Sequence, residues 1–409
     1  MKSERVGYVP GITTVSLLMY QRNRNLFSLL AVLLTAVLIA AIGGIFLFVA
    51  DQFGGGPRLL SGGTDVGREI ERQTDGDPLV LRGDAVSAEA VSATPHLTLG
   101  THTATVLSVT TSQSSPMVAS GSYDNSVKLW NRNDPTATRA LSHSGRVNDL
   151  AFTPDGQYLV TGSGAGNIKL WNLPSNLSGQ RLERSEDLLE ATFKGESGRI
   201  TSLAIDLTSR AIASGSSNGT LKIWDITQSV QVPTVTTLKP LGPQINALAF
   251  HPIDPNLLIS GDQDGTVKIW DLARGEPLRI LEDSADRIVS VDISQNGQYI
   301  ASGSYDQTIR IWDLETGEQV QTLTGHDFVV SDVSFSPDGT LLVSGSYDES
   351  IKVWNWQNAA EACTLNGHAG FVYAVAFADS GNTLVSGGYD GTVRSWDLTA
   401  PANQSCLSQ

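Results

Sequence analysis

Apolar and polar positions alternate in short runs along the chain from about residue 95 onward. Residues 303–326 show the unit clearly: an alternating run ending at Trp312 follows a tight polar turn at Asp306, and a second short run leads to His326. Alternation with a period of two, rich in β-branched and aromatic residues and interrupted by polar turns, predicts strands joined in antiparallel hairpins. One such unit cannot bury both of its faces, so it requires copies beside it.

Copies of this unit recur through the rest of the chain. Each contains a tryptophan followed by Asp or Asn, at Trp130, Trp171, Trp224, Trp270, Trp312, Trp354 and Trp396. The period of roughly 42 residues, together with Gly-His before several copies, resembles the WD-repeat family of β-propellers. The resemblance covers about residues 95–398 and implies an all-β, seven-bladed β-propeller of four-stranded antiparallel blades. Each tryptophan would pack between neighbouring blades.

Closure of the ring can be predicted from its two ends. The seventh copy supplies three strands, and the tail at residues 399–409 shows no fourth. Upstream, the segment HLTLGTH at residues 96–102 is similar to QTLTGH at residues 321–326. We therefore predict that a strand near residues 95–99 completes the seventh blade as its outer strand, which leaves no open edge.

In the family, a blade is often tied by hydrogen bonds among a Trp, a Ser or Thr, a His and an Asp. Matched onto this sequence, the set is complete in the first, sixth and seventh copies: His102, Ser120, Asp124 and Trp130; His326, Ser344, Asp348 and Trp354; His368, Ser386, Asp390 and Trp396. The second copy has Ala165 in place of Asp, the third has Glu196 in place of His, and the fourth and fifth lack the His. We expect the second to fourth blades to be the softer part of the ring. Because the His–Asp pairs repeat, a structural role is favoured over an active-site dyad.

The same turns predict a distinctive surface. Tyrosine precedes the turn aspartate in copies one, five, six and seven, which are neighbours in a closed ring: Tyr123, Tyr305, Tyr347 and Tyr389. Three further aromatic residues lie at or just after the Gly-His loops of the last two copies: Phe328, Phe371 and Tyr373. Arg146 and Arg199 begin the second and third copies. This pattern favours a rim with an aromatic arc opposite an arginine arc, residue types common at binding hot spots. The alternative is that Ser-Tyr-Asp is only a common form of the repeat.

Composition narrows the function classes. The formal net charge of −15 argues against nucleic acid as a partner, since phosphate binding needs clustered Lys and Arg. No nucleophile-elbow, phosphate-loop, zinc-protease or Cys-x-x-Cys motif is present. The sequence therefore predicts no enzyme, no cofactor and no metal site. The two cysteines, Cys363 and Cys406, are interpreted as forming neither a disulfide framework nor a metal motif.

The N-terminal part of the chain has a different character. A basic segment at residues 1–25 precedes residues 26–50, which contain no charged side chain and are long enough to cross a bilayer. We predict an uncleaved transmembrane helix here, in contact with the lipid bilayer, rather than a removed signal peptide. The flanking charges favour a cytoplasmic N-terminus and a propeller on the other side of the membrane. Residues 51–94 are interpreted as a flexible linker, and Met19 is an alternative start.

These observations favour a membrane-anchored, non-catalytic scaffold that binds proteins or peptides through the propeller rim. Three alternatives remain open from the sequence: a propeller enzyme with a polar cluster in the channel, a ligand or ion sensor, and a purely structural spacer.

Overall fold

The computed structural model describes residues 97–174, 185–195, 198–238, 244–282 and 286–407. The segments interpreted as a basic N-terminus (1–25), a transmembrane helix (26–50) and a linker (51–94) lie outside the described residues. Within the described ranges, no helix combines the length and apolar character that a membrane span requires.

The described residues form seven four-stranded antiparallel sheets, one for each predicted blade. Blade one contains β2 (Val106–Thr111), β3 (Met117–Ser122), β4 (Ser126–Asn131) and β5 (Asp134–Ser142). Blade two contains β6 (Val147–Phe152), β7 (Tyr158–Ser163), β8 (Asn167–Asn172) and β9 (Leu189–Lys194). Blade three contains β10 (Ile200–Ile205), β11 (Ala211–Ser216), β12 (Leu221–Asp225) and β13 (Thr234–Leu238). Blade four contains β14 (Ile245–Phe250), β15 (Leu257–Asp262), β16 (Thr266–Asp271) and β17 (Glu276–Glu282).

The remaining blades follow the same order. Blade five contains β18 (Ile288–Ile293), β19 (Tyr299–Ser304), β20 (Ile309–Asp313) and β21 (Gln319–Leu323). Blade six contains β22 (Val330–Phe335), β23 (Leu342–Ser346), β24 (Ser350–Asn355) and β25 (Ala360–Asn366). Blade seven contains β26 (Val372–Ala378), β27 (Thr383–Gly388), β28 (Thr392–Asp397) and β1 (Leu97–Thr101). Short 3-10 helices span Ser185–Leu188, Trp356–Asn358, Asp379–Gly381 and Pro401–Cys406.

The predicted ring closure is confirmed. β1 is the outermost strand of blade seven and pairs antiparallel with β28, with Leu97 opposite Ser395 and Thr101 opposite Thr392. The first strands of successive blades pack side by side around the centre, and β26 packs against β2. The described part of this strand covers residues 97–101, and residues 95 and 96 of the predicted strand lie outside the described residues.

The hydrophobic core is divided among the junctions between blades. One cluster joins Ile309 and Ile311 of blade five to Val330, Phe335 and Trp354 of blade six, and the other clusters repeat this arrangement. All seven repeat tryptophans are buried, as predicted. Close packing at the junctions requires a glycine in the second strand: a Cβ atom on Gly345 would lie 2.9 Å from Cγ1 of Val372.

The interpretation that the two cysteines form no disulfide is wrong. Cys363 in β25 and Cys406 in the last 3-10 helix form a disulfide, with their Cα atoms 5.0 Å apart. That helix packs against β25. The tail therefore returns from blade seven to the outer edge of blade six, and this path brings together two cysteines that are 43 residues apart in the sequence.

Candidate functional site

Each His–Asp pair is part of a chain of hydrogen bonds that joins the strands of one blade. We call this chain a tie. In blade one, Trp130 Nε1 donates to Ser120 Oγ (2.9 Å), the Ser120 hydroxyl lies 2.8 Å from His102 Nε2, and His102 Nδ1 lies 2.9 Å from Asp124 Oδ2. A single tautomer satisfies this chain, with Nδ1 as donor and Nε2 as acceptor. Blade six repeats it through His326 and Asp348, and blade seven through His368 and Asp390.

The pKa shifts of the paired His and Asp side chains agree with a structural role for these ties. Burial lowers the pKa of His102 and keeps its imidazole neutral, although the neighbouring Asp124 acts in the opposite direction. Burial alone would raise the pKa of Asp124, but hydrogen bonds from Ser126 and His102 outweigh it and hold that pKa at about 2. Ser120 is fully buried and its hydroxyl already accepts a hydrogen bond from Trp130 Nε1, so this Ser–His–Asp set presents no exposed nucleophile, unlike a catalytic triad.

Blades two, three and four lack one or more members of the Trp–Ser/Thr–His–Asp set, and each has different contacts at these positions. In blade two, His143 Nε2 lies 3.1 Å from Thr161 Oγ1, but its buried Nδ1 has no partner among the described residues because Ala165 replaces the aspartate. In blade four, Lys268 is only 2% exposed and forms an ion pair with Asp262. In blade three, Trp224 still donates to Ser214 (2.8 Å), while Glu196 lies outside the described residues.

The rim is defined here as the face that carries the turns around Tyr123, Tyr305, Tyr347 and Tyr389 and the loops that follow His102, His326 and His368. The backbone builds it regularly, because the residue at the tyrosine position donates its N–H to the residue just before the first strand of the same blade. Tyr347 N–H, for example, donates to Val329 O (3.0 Å), and Tyr389 N–H donates to Phe371 O (2.8 Å).

The structure gathers most of the predicted aromatic residues into one cluster on blades six and seven. The rings of Tyr347 and Phe371 stack with centroids 4.7 Å apart, Tyr373 lies 5.2 Å from Tyr347, and Tyr389 lies 6.0 Å from Phe371. Phe371 and Tyr389 remain 40% and 61% exposed. Burial, together with the adjacent Tyr373 and Tyr305, raises the pKa of Tyr347, so its phenol stays neutral. We call these four residues, Tyr347, Phe371, Tyr373 and Tyr389, the aromatic cluster.

The other predicted rim residues are placed differently. Phe328 is 60% exposed and stacks on no other ring among the residues described. Arg146 does not lie opposite the tyrosines: its guanidinium lies 4.9 Å from the ring centroid of Tyr123 and donates to the phenol oxygen at 2.7 Å. The expectation of two opposed arcs is therefore wrong at this point, because Arg146 begins the blade next to the one that carries Tyr123. Arg199 is exposed in blade three.

One rim residue was missed by the sequence reasoning. Arg287 immediately precedes β18 and lies with its guanidinium 4.5 Å from the ring centroid of Tyr305. It occupies the same position as Arg146 and Arg199, one residue before the first strand of a blade. Aligning that position across the repeats would have identified it.

Below the rim lies the central channel, a cavity of about 310 Å³ lined by the first strands of all seven blades and by Tyr347. Two carboxylates in its wall, Asp149 and Asp332, were not predicted. Asp149 Oδ1 accepts from Ser108 Oγ (3.0 Å) in blade one, and Asp149 Oδ2 accepts from Leu203 N–H (2.7 Å) in blade three. It therefore links three consecutive blades.

Asp332 performs the same task across the ring. It accepts hydrogen bonds from Ser290 Oγ (2.7 Å) in blade five and from Val375 N–H (2.9 Å) in blade seven. Burial and repulsion by Asp149 raise the pKa of Asp332 to about 7, and burial also raises the pKa of Asp149. These groups hold blades together and place acidic oxygen atoms along the channel. Among the described residues, no group of three potential ligands could hold a metal ion.

The opposite mouth of the channel is wider and more apolar. Its cavity of about 670 Å³ is lined by phenylalanine and proline side chains from several blades, including Phe152, Phe250 and Phe335. It contains one carboxylate, Asp292, which accepts from Phe335 N–H at 2.7 Å and whose pKa burial raises to about 6.

Comparison with known proteins agrees with the seven-blade architecture. The family described as "WD domain, G-beta repeat" matches residues 93–131, 275–313, 317–355 and 360–397. These four segments of the chain are WD repeats. Residues 134–290 instead match the family described as "Nucleolar protein 10-like, N-terminal domain". This second match spans blades two to four, where the hydrogen-bonded sets are incomplete.

Several curated relatives are similar over part of the chain. A guanine nucleotide-binding protein subunit beta of Oryza sativa subsp. japonica is 32% identical over 157 residues, which cover 37% of this chain and 40% of that protein. A subunit of the same description from Arabidopsis thaliana is 36% identical over 130 residues, 30% of this chain and 32% of that protein. The target of rapamycin complex subunit wat1 of Schizosaccharomyces pombe is 25% identical over 147 residues, 36% of this chain and 42% of that protein. This WD-repeat chain thus spans less than half the length of these relatives.

Proposed function

We propose that this propeller is a non-catalytic scaffold that binds a protein or peptide partner through the aromatic cluster on its rim. The single observation that carries the proposal is the exposure of Phe371 and Tyr389 on a rigid, closed ring. Aromatic side chains provide large contact areas with few rotatable bonds, so binding orders few groups. Similarity to G-beta subunits and to a subunit of a multiprotein complex supports a role in protein assembly.

The partner surface can be tested without disturbing the blades. Replacing Phe371 and Tyr389 by Ala together removes the exposed rings while leaving the half-buried Tyr347 and Tyr373 in place. We expect this variant to lose at least about tenfold in affinity for proteins captured by the wild-type ring, because a hot-spot residue contributes more than about 1 kcal/mol. A matched control replaces Leu207 and Ile253, two exposed apolar residues outside the rim, by Ala. Equal capture by wild type and by the rim variant would refute the proposal.

We further propose that residues 26–50 anchor the chain in a membrane and that the ring lies outside the cytoplasm. The uncharged stretch and its flanking arginines favour this orientation. The Cys363–Cys406 disulfide adds independent support, because disulfides persist in oxidising compartments and are rare in the cytosol.

A further inference from the structure

An arginine stacks on a tyrosine at two places on the rim, once between blades one and two and once within blade five. Arg146 lies over Tyr123 at 4.9 Å, and Arg287 lies over Tyr305 at 4.5 Å, measured from the guanidinium carbon to the ring centroid. Both arginines hold the position just before the first strand of a blade. A guanidinium is planar and weakly hydrated, so it stacks on an aromatic face at little desolvation cost.

Blade seven has an aromatic residue at the position that these two arginines occupy. Phe371 directly precedes β26, where blades two, three and five have arginine. The two tyrosines beside it, Tyr347 and Tyr389, therefore have an aromatic neighbour instead of a cationic one. Among the described residues, no Lys or Arg side chain stacks on any member of the aromatic cluster. The cluster thus exposes the type of surface that elsewhere on this rim carries a guanidinium.

The surroundings of the cluster favour a cation as well. Tyr347 and Tyr373 line the channel cavity together with Asp149 and Asp332, and the residues lining that cavity include no Lys or Arg. Val375, two residues after Tyr373, donates its N–H to Asp332. These two carboxylates add only part of their charge at neutral pH, because burial raises both pKa values and leaves Asp332 about half protonated. The whole chain is also acidic, with a net charge of −15.

We propose that the aromatic cluster binds an arginine side chain presented by a partner protein, with the guanidinium stacked on Phe371 and Tyr389 beside the mouth of the channel. The inference rests on the proposed rim function and specifies the chemistry of the partner. Arginine is favoured over lysine because the chain's own contacts on Tyr123 and Tyr305 are made by planar guanidinium groups.

The test is a selection of random peptides displayed on phage against the full-length protein in detergent, followed by synthesis of the selected peptides. We expect the selected peptides to share an arginine. Replacing that arginine by citrulline, which keeps its shape but removes its charge, should weaken binding by about tenfold or more, and replacement by lysine by less.

The variant Phe371→Arg supplies the arginine that other blades have at this position and should also reduce binding about tenfold through repulsion and occupation of the neighbouring ring. Gln244→Arg is the matched control, since it adds the same charge at the equivalent position of blade four and should leave binding unchanged. Should Phe371→Arg disturb folding, Tyr389→Ala serves instead, because Tyr389 is mostly exposed.

The outcomes separate the two proposals. Peptides that lose binding with Tyr389→Ala but tolerate citrulline would overturn the arginine inference and leave the rim function intact. Selected peptides that bind all rim variants equally would overturn both.

Discussion

The side chain of His143 makes the stability of the folded ring depend on pH. Its Nδ1 is buried without a partner because Ala165 replaces the aspartate found in blades one, six and seven. Burial, followed by the nearby Lys169, lowers the pKa of His143 to about 4. Between pH 6.5 and 4, the unfolded chain therefore takes up a proton that the folded chain does not, and stability falls as the pH falls. A shift of this size corresponds to a loss of up to about 3 kcal/mol.

We predict that Ala165→Asp reduces this pH dependence. The new carboxylate would accept from Nδ1 as Asp124 does in blade one, which favours the protonated imidazole and satisfies a buried donor. Stability at neutral pH should rise by about 1 kcal/mol, and the loss between pH 6.5 and 4 should shrink. Chemical denaturation at several pH values measures both quantities. Ala165→Asn, which adds a polar side chain without a charge, is the control; identical slopes for wild type and Ala165→Asp would contradict the assignment.

At the scale of single strands, β1 closes the ring. Leu99 in this strand is buried beside Trp130 and Val393, and without β1 the strand β28 would present an open edge. We predict that Leu99→Asp lowers the free energy of unfolding by about 3 kcal/mol or more, because it buries an unpaired carboxylate. The exposed edge of β28 should also promote association between molecules. Thermal denaturation and size-exclusion chromatography measure these effects. Thr98→Asp, at an exposed position of the same strand, is the control and should behave as wild type.

The disulfide forms a second closure between blade six and the tail. The loop that it closes has ends 43 residues apart and contains three of the four strands of blade seven; the chain-entropy model gives a stabilisation of about 4 kcal/mol for such a loop. We predict that dithiothreitol lowers the unfolding midpoint of the wild type towards that of the double variant Cys363→Ala/Cys406→Ala. The double variant should itself be insensitive to dithiothreitol. A wild-type midpoint that does not change on reduction would show that the tail contributes nothing to stability.

The repeated elements could be predicted from the sequence, whereas the contacts between them could not. Turns, strands and the tie His326–Ser344–Asp348–Trp354 depend on residues within one repeat, so their spacing is visible directly. The stacking of Arg146 on Tyr123 and the links made by Asp149 join different blades, and only the rotation between blades brings them together. The sequence identified the aromatic residues of the candidate site, but it did not show which of them form one cluster.

At the scale of the whole molecule, the disulfide in the ring and the charges around the proposed anchor both bear on which side of a membrane the ring lies. A disulfide needs an oxidising compartment to form, and the charges around residues 26–50 favour export of whatever follows them. These are independent features, one in the ring and one upstream of it, and they favour the same side of the membrane. The aromatic cluster would then meet partners outside the cytoplasm.

We predict that protease added to intact cells digests the ring, and that the protease-accessible fraction carries the Cys363–Cys406 disulfide. Blocking of free thiols before lysis, followed by reduction and labelling with a maleimide polymer, should shift the wild type by two labels and leave Cys363→Ala/Cys406→Ala unshifted. A variant without residues 26–50 controls for the proposed anchor, and the proposal requires it to leave the membrane fraction, because an uncharged stretch of this length can span a bilayer. Protection of the ring until the membrane is opened, together with free thiols in the wild type, would place the propeller in the cytoplasm and show that the flanking charges do not set its orientation.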